Sequence, residues 1–172
     1  MILMRWISTG SNRSVSSMPC VIRCALRFEC QETLFVHTKW FEYNYLVTET
    51  MLDIMGHMNH ARYLTVFEEA RWQLCRDLGF TLEVMQAEGI GFVILDAYVR
   101  YQREVKNRDQ LLIRTRFSGM ETKIWNVEHE MQRADGTVLS TGKLKAGLFD
   151  LKARKLLSPQ PSWLERFQAQ GE

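Results

Sequence analysis

An α+β domain, one long helix laid across a curved antiparallel sheet, is the fold class that the sequence predicts. Three observations lead there. One uninterrupted helical period runs over residues 59–79, directly after a strand-like opening segment. Nearly everything beyond Gly89 reads as strands. An Asp-Gly pair at residues 135–136 marks a hairpin between two of them. A sheet has an apolar face to cover, and one helix with a wide apolar stripe can cover it.

In chain order, residues 34–48 (LFVHTKWFEYNYLVT) are rich in the aromatic and β-branched side chains that suit a pleated surface. Residues 49–58 break that pattern, contain Gly56 and read as a loop. Asn59 is the expected N-cap of the helix, and Gly79 sits where a left-handed C-terminal residue belongs. Between them Tyr63, Phe67, Ala70, Leu74 and Leu78 recur three and four apart as one apolar stripe, with Arg62, Glu69, Gln73 and Arg76 largely off it. A shorter helix is expected over residues 82–87. Residues 90–101 (IGFVILDAYVRY) form a nearly continuous apolar run, which predicts a central strand buried on both faces. Leu111, Ile113, Thr115 and Phe117 alternate with polar partners, as do Trp125, Val127, His129 and Met131. Asp135-Gly136 predicts a type I′ turn joining strands 123–133 and 137–149. Ser158-Pro159 ends the sheet, and residues 163–167 suggest a short terminal helix.

The length of 172 residues suits one folded domain over residues 33–172, preceded by an extension over residues 1–32. Up to Phe28 the extension carries Arg5, Arg13, Arg23 and Arg27, many serines and no acid. That composition is compatible with an organellar transit peptide, but composition alone is weak evidence, and the bland alternatives are a disordered segment or translation starting at Met18. A cytoplasmic location is expected, or an organellar one if residues 1–30 act as a transit peptide. A net charge of +2 is too small to imply nucleic-acid or membrane partners. No apolar run approaches the roughly 20 residues of a spanning helix. Of the four cysteines, Cys20, Cys24 and Cys30 lie in the extension without a CxxC pair or a neighbouring His cluster, so neither zinc site nor disulfide scaffold is expected. Cys75 lies within the helical pattern and reads as a small buried side chain.

The segment Asp53-Ile54-Met55-Gly56-His57-Met58-Asn59-His60-Ala61-Arg62-Tyr63 resembles the D-x-x-G-H-V-N-N-x-x-Y signature of the 4-hydroxybenzoyl-CoA thioesterase family. Phe67-Glu68-Glu69-Ala70-Arg71 is similar to that family's F-E-x-A-R stretch, and residues 101–115 (YQREVKNRDQLLIRT) to its strand–turn–strand segment ending G-D-x-L-x-I-x-T. The resemblance covers roughly residues 34–160 and departs twice, with His60 for the second Asn and Arg108 for the Gly of G-D. It implies the hot-dog fold, acyl-CoA substrates and a homodimer or homotetramer in which two sheets join and the site lies at their interface.

Thioester hydrolysis needs a base or nucleophile near the carbonyl carbon, and positive electrostatics where the oxygen becomes negative. Asp53 stands in the loop ahead of the helix, whose first-turn amides around His60 and Ala61 carry partial positive charge. The resemblance assigns the oxyanion to the amide of His60, with Asp53 either activating water or attacking to form a mixed anhydride. Gly56, His57 and Asn59 are expected to shape the substrate site. Arg103 and Lys106, in a basic run with Arg100 and Arg108, are placed to meet coenzyme A phosphates or to form an ordinary solvated turn. A lone Asp before a helix is usually a turn former or cap, and it is the motif around Asp53 that favours catalysis. His57 and His60 lack a third ligand at suitable spacing, so no metal and no organic cofactor are expected. Glu69 reads as structural, Glu68 as the lesser alternative catalyst, and Tyr63 as core. Trp125, Phe92 and Met131 suit an acyl pocket or the core alike. The rival readings are an acyl-ACP thioesterase and a non-catalytic acyl-CoA-binding hot-dog protein. A hot-dog dehydratase is disfavoured because His57 with Glu68 makes a poor acid–base pair.

Overall fold

The computed structural model describes residues 38–168, in which a long helix crosses one face of an antiparallel sheet. The expectations for residues 1–32 and for the start of the first strand lie outside the described residues. The strands are β1 (Phe41–Leu46), β2 (Ile90–Tyr101), β3 (Gln110–Glu121), β4 (Ile124–Arg133), β5 (Val138–Asp150) and the short β6 (Lys155–Leu157). The helices are α1 (His60–Asp77), α2 (Leu82–Glu88) and α3 (Pro161–Gln168). Strand order is β1-β3-β4-β5-β2, with β6 beside the end of β5. The strands flanking α1 in sequence therefore lie on opposite sides of the sheet, and the chain between them carries the helix across it. Bulges between Phe117 and Gly119 and between Ile94 and Asp96 break the register and increase the local bend of the sheet.

The predicted stripe is the buried face of α1: Tyr63, Phe67, Ala70, Leu74 and Leu78 are all buried. It joins two apolar clusters. One gathers Tyr63, Val66 and Phe67 with Ile113, Met131 and Leu139, the other Leu74 and Leu78 with Phe117, Val127 and Leu144. Between them in register lies a polar layer of Arg71, Thr115 and His129 beside Gly142. The Phe67 ring stacks on His129 at 4.8 Å, and a Cβ on Gly142 would stand 3.0 Å from Phe67 Cε2. Gly142 thus gives the ring its place. His129 Nδ1 and the Thr115 hydroxyl are 2.9 Å apart, while Nε2 has no described partner. At the far end α3 inserts Trp163 and Phe167 beside Phe80 and Trp125, and its Arg166 donates to the Gly79 carbonyl at 3.2 Å. That contact serves the C-terminus of α1, where Gly79 has φ +81° as expected.

Two expectations are corrected. The apolar run 90–101 forms an edge strand and not a central one. Among the described residues β2 pairs only with β5, and Ile94, Leu95, Tyr98 and Tyr101 are exposed, Tyr98 at 64%. The run has too little cover because the helix shields only part of one face. The hairpin is not type I′, since Gly136 has φ +83° while Asp135 does not enter the positive-φ region. Gly136 N–H donates to the Arg133 carbonyl, so the turn spans residues 133–136 and Gly136 supplies the left-handed residue after it. Of the two readings left open for Trp125, Phe92 and Met131, the core is the one found: Trp125 and Met131 are buried and Phe92 packs against the core.

Burial, with the nearby Arg71 charge, pulls the His129 imidazole down to about 3. The unfolded chain, with an ordinary histidine, takes up the proton more readily. This contribution to stability is complete above about pH 6.5 and declines at about 1.4 kcal/mol per pH unit as pH falls toward the folded value. Urea midpoints measured from pH 7 to pH 4 should fall accordingly, and His129→Leu should flatten that slope.

Candidate active site

Asp53 is fixed by its own turn. Its amide donates to the His57 carbonyl at 2.8 Å and the Gly56 amide to the Asp53 carbonyl at 3.1 Å, with Gly56 at φ +78°. The Oδ1 atom accepts the amides of Met55 at 2.8 Å and His57 at 3.3 Å. Asp53 is therefore a turn former as well as a carboxylate in a cleft. Oδ2 accepts from no described group, which leaves it open to chemistry.

The helix start is equally determined. Asn59 Oδ1 accepts the Ala61 amide at 3.0 Å, and the Asn59 carbonyl accepts the Arg62 amide at 2.8 Å. The cap consumes the Ala61 amide, so that donor is not free as the sequence suggested. The His60 amide donates to no described atom and carries the positive end of the helix dipole outward.

A third segment closes the site. Tyr101, at the end of β2, donates its hydroxyl to the His60 carbonyl at 3.1 Å and sets its ring edge-on to Tyr63. Just beyond it, Glu104 Oε2 lies 2.8 Å from His57 Nε2 and Oε1 lies 3.0 Å from Lys106 Nζ. The Met58 amide donates to the Val105 carbonyl at 2.8 Å, tying loop to strand end. Between these parts opens a cavity of about 350 Å³, lined by Asp53, Met58, His60 and Tyr63 on one side and Tyr101, Gln102, Arg103 and Glu104 on the other.

Of the predicted site residues, Asp53, His60 and Arg103 line this cavity. Gly56, His57, Asn59 and Lys106 do not: Gly56 makes the turn, Asn59 caps the helix, and His57 and Lys106 both bind Glu104. Tyr63, read as core, is 4% exposed and still contributes to the wall. Glu68 and Glu69 lie elsewhere, on Trp72 and Tyr43 respectively. Tyr101, Gln102 and Glu104 were missed, since their approach to the loop depends on the strand register. Cys75 is buried, and burial pushes its thiol up to about 12, which removes it as a nucleophile at neutral pH. Arg108 holds φ +65° and bonds Glu49 at 2.9 Å, so this turn places a non-glycine residue in the left-handed region. Among the described residues no cluster of three His, Cys, Asp or Glu side chains is placed to hold a metal.

Residues 47–167 match the thioesterase-like superfamily. The chain belongs to that superfamily. The long-chain acyl-CoA thioesterase FadM of Escherichia coli is 28% identical over 123 residues, 68% of this chain and 89% of FadM. The crystal structure of the probable thioesterase YbaW from Escherichia coli superposes with a TM-score of 0.68 at 26% identity, over 76% of this chain and 98% of that one. The Staphylococcus aureus protein SAV2348, solved in complex with CoA, matches with a TM-score of 0.72 at 17% identity, over 78% of this chain and 87% of that one. These structures bear out the hot-dog fold and superfamily. Among the described residues no helix is long and apolar enough to cross a membrane.

The cap gives a direct test of the local geometry. Asn59→Ala should lower the unfolding free energy by about 1 kcal/mol in denaturant titration, as the Ala61 amide loses its acceptor.

Proposed function

We propose that this chain hydrolyses acyl-CoA thioesters to the free acid and CoA, with Asp53 as the reacting carboxylate and the His60 amide as oxyanion donor. The observation that carries the reading is the meeting of a carboxylate with an open oxygen and an unused helix N-terminal amide in one cavity. The carbonyl oxygen of a thioester placed at that amide becomes negative where a fixed dipole stabilises it. Asp53 either removes a proton from attacking water or adds to the carbonyl itself, expelling the CoA thiolate and leaving an anhydride that water opens. Both routes consume one water and release one acid and one thiol.

Support for the acyl-CoA class comes from the names of relatives such as FadM and from the CoA complex of SAV2348. Arg103 on the cavity wall is the cation we assign to CoA phosphate, with Lys106 one step further out on Glu104. The finer membership in the 4-hydroxybenzoyl-CoA family rests on the Asp53–Tyr63 motif.

Thiol release from aromatic, short aliphatic and long fatty acyl-CoAs tests the assignment with wild type and Asp53→Asn side by side. Wild type should turn over at least one class, and Asp53→Asn should lose at least a hundredfold in kcat without losing the fold. Retained turnover in the variant would remove Asp53 from the mechanism. Stoichiometric binding without release would make the protein a binding module.

We also propose that the active form is at least a homodimer joined along β2. Among the described residues its backbone has one unpaired edge, and Ile94 and Tyr98 are exposed beside it. Light scattering should give at least twice the chain mass, and Tyr98→Lys should shift the protein toward monomer. A monomeric wild type would contradict the proposal.

A further inference from the structure

We infer that Glu104 is a positioning residue for this chemistry: through the ring of His57 it holds the turn that aims Asp53 into the cavity. The inference rests on the role given to Asp53 above. The turn itself has little to hold it. Ile54 and Met55 stand in solvent at 104% and 74% exposure, and nothing lies within 4 Å of a Cβ built on Gly56. The bonds between Asp53, Gly56 and His57 close the turn internally without anchoring it to its surroundings. The outside ties lie at its far end, in the Met58–Val105 and His57–Lys106 backbone pairing and the contact between the His57 ring and Glu104.

That ring contact bears on Asp53. The His57 amide is the more distant donor to Asp53 Oδ1, at 3.3 Å against 2.8 Å for Met55. A displacement of His57 moves this amide and releases one of the two bonds that commit Oδ1 to the turn. The carboxylate is then free to rotate, and Oδ2 loses its set position in the cavity that Asp53 shares with His60. A misplacement of about 1 Å is enough to cost on the order of a hundredfold in rate.

Glu104 is suited to the task because its own platform is braced. Arg133 donates to the Glu104 carbonyl and to Asp109 Oδ2, both at 3.1 Å, and Asp109 Oδ2 also accepts the Lys106 amide at 3.0 Å. The hydrogen bond and charge of Lys106 hold the Glu104 carboxyl below the usual carboxylate range, so it stays an acceptor for His57 at neutral pH. The exposed turn is thereby tied to a fixed strand exit.

The test compares Glu104→Ala, Glu104→Gln, His57→Ala and the double variant His57→Ala/Glu104→Ala in the full chain. Asp53→Asn runs alongside, on the best substrate of the acyl-CoA panel. Glu104→Ala should lower kcat about tenfold to a hundredfold, with KM within about threefold of wild type. Glu104→Gln, which keeps an acceptor for His57, should recover most of that loss. The double variant should be no slower than His57→Ala alone, because both changes break one chain of contacts. An unchanged kcat, a loss carried by KM, a Gln variant no better than Ala, or additive losses in the double variant would each overturn the inference. Turnover by Asp53→Asn would instead overturn the role of Asp53, whatever Glu104 does.

Discussion

The height of the long helix above the sheet is the constraint on which the rest of the molecule depends. It is set where Phe67 packs over Gly142: a Cβ there would stand 3.0 Å from the ring, so a larger residue would require the ring or the helix to give by a few tenths of an ångström. The ring then stacks on His129, which stays neutral because burial beside Arg71 makes its charged form costly. From that contact the helix runs back two turns to His60, and its first carbonyl meets the hydroxyl of Tyr101. Helix start and strand exit are thus held at a distance fixed by packing deep in the core.

The site divides its work between backbone and side chain in a way that suits a small scaffold. The backbone of the Asp53–His57 turn and of the first helical turn supplies donors whose positions side-chain rotation cannot change. Asp53 commits one oxygen to the turn and leaves the other without a described partner, so the residue that forms the turn also carries the cavity's open carboxylate oxygen. The acids on the helix serve packing instead. Glu68 lies 3.7 Å from the buried Arg71 and accepts from Trp72, and Glu69 accepts from Tyr43. Removing Glu68 would leave Arg71, 7% exposed, without its nearest carboxylate, a costly vacancy for a buried cation.

The other end of the helix is built for closure. Phe80, Phe117, Trp125, Trp163 and Phe167 meet edge to face or stacked, and Arg166 lies over Phe80 while donating to the Gly79 carbonyl just past α1. This aromatic plug fills the space between helix and sheet away from Asp53. The cavity at the opposite end remains open where Met58, Tyr63 and Tyr101 give it apolar walls and Arg103 a charged rim.

Much of this was legible in the residues themselves, wherever the information was local. The helix from its Asn59 cap to Gly79, its buried stripe and the alternation of β3 and β4 all follow from spacing, because period and capping depend on neighbours within a few residues, while the Asp53–Tyr63 segment was legible as a family resemblance. The place of β2 did not follow: an apolar run says how much cover a strand needs, not whether the protomer supplies it. The hairpin type was misjudged because Asp-Gly also fits a turn in which glycine alone takes positive φ. Tyr101 and Glu104 carried no signal either, since they reach His60 and His57 only through pairings 41 and 47 residues distant along the chain, from 60 to 101 and from 57 to 104. The sequence by itself determined the elements and the chemistry of the turn, which are short-range properties. The tertiary structure decided which strand end faces that turn, because register and edge position are settled only when the whole sheet closes over one helix.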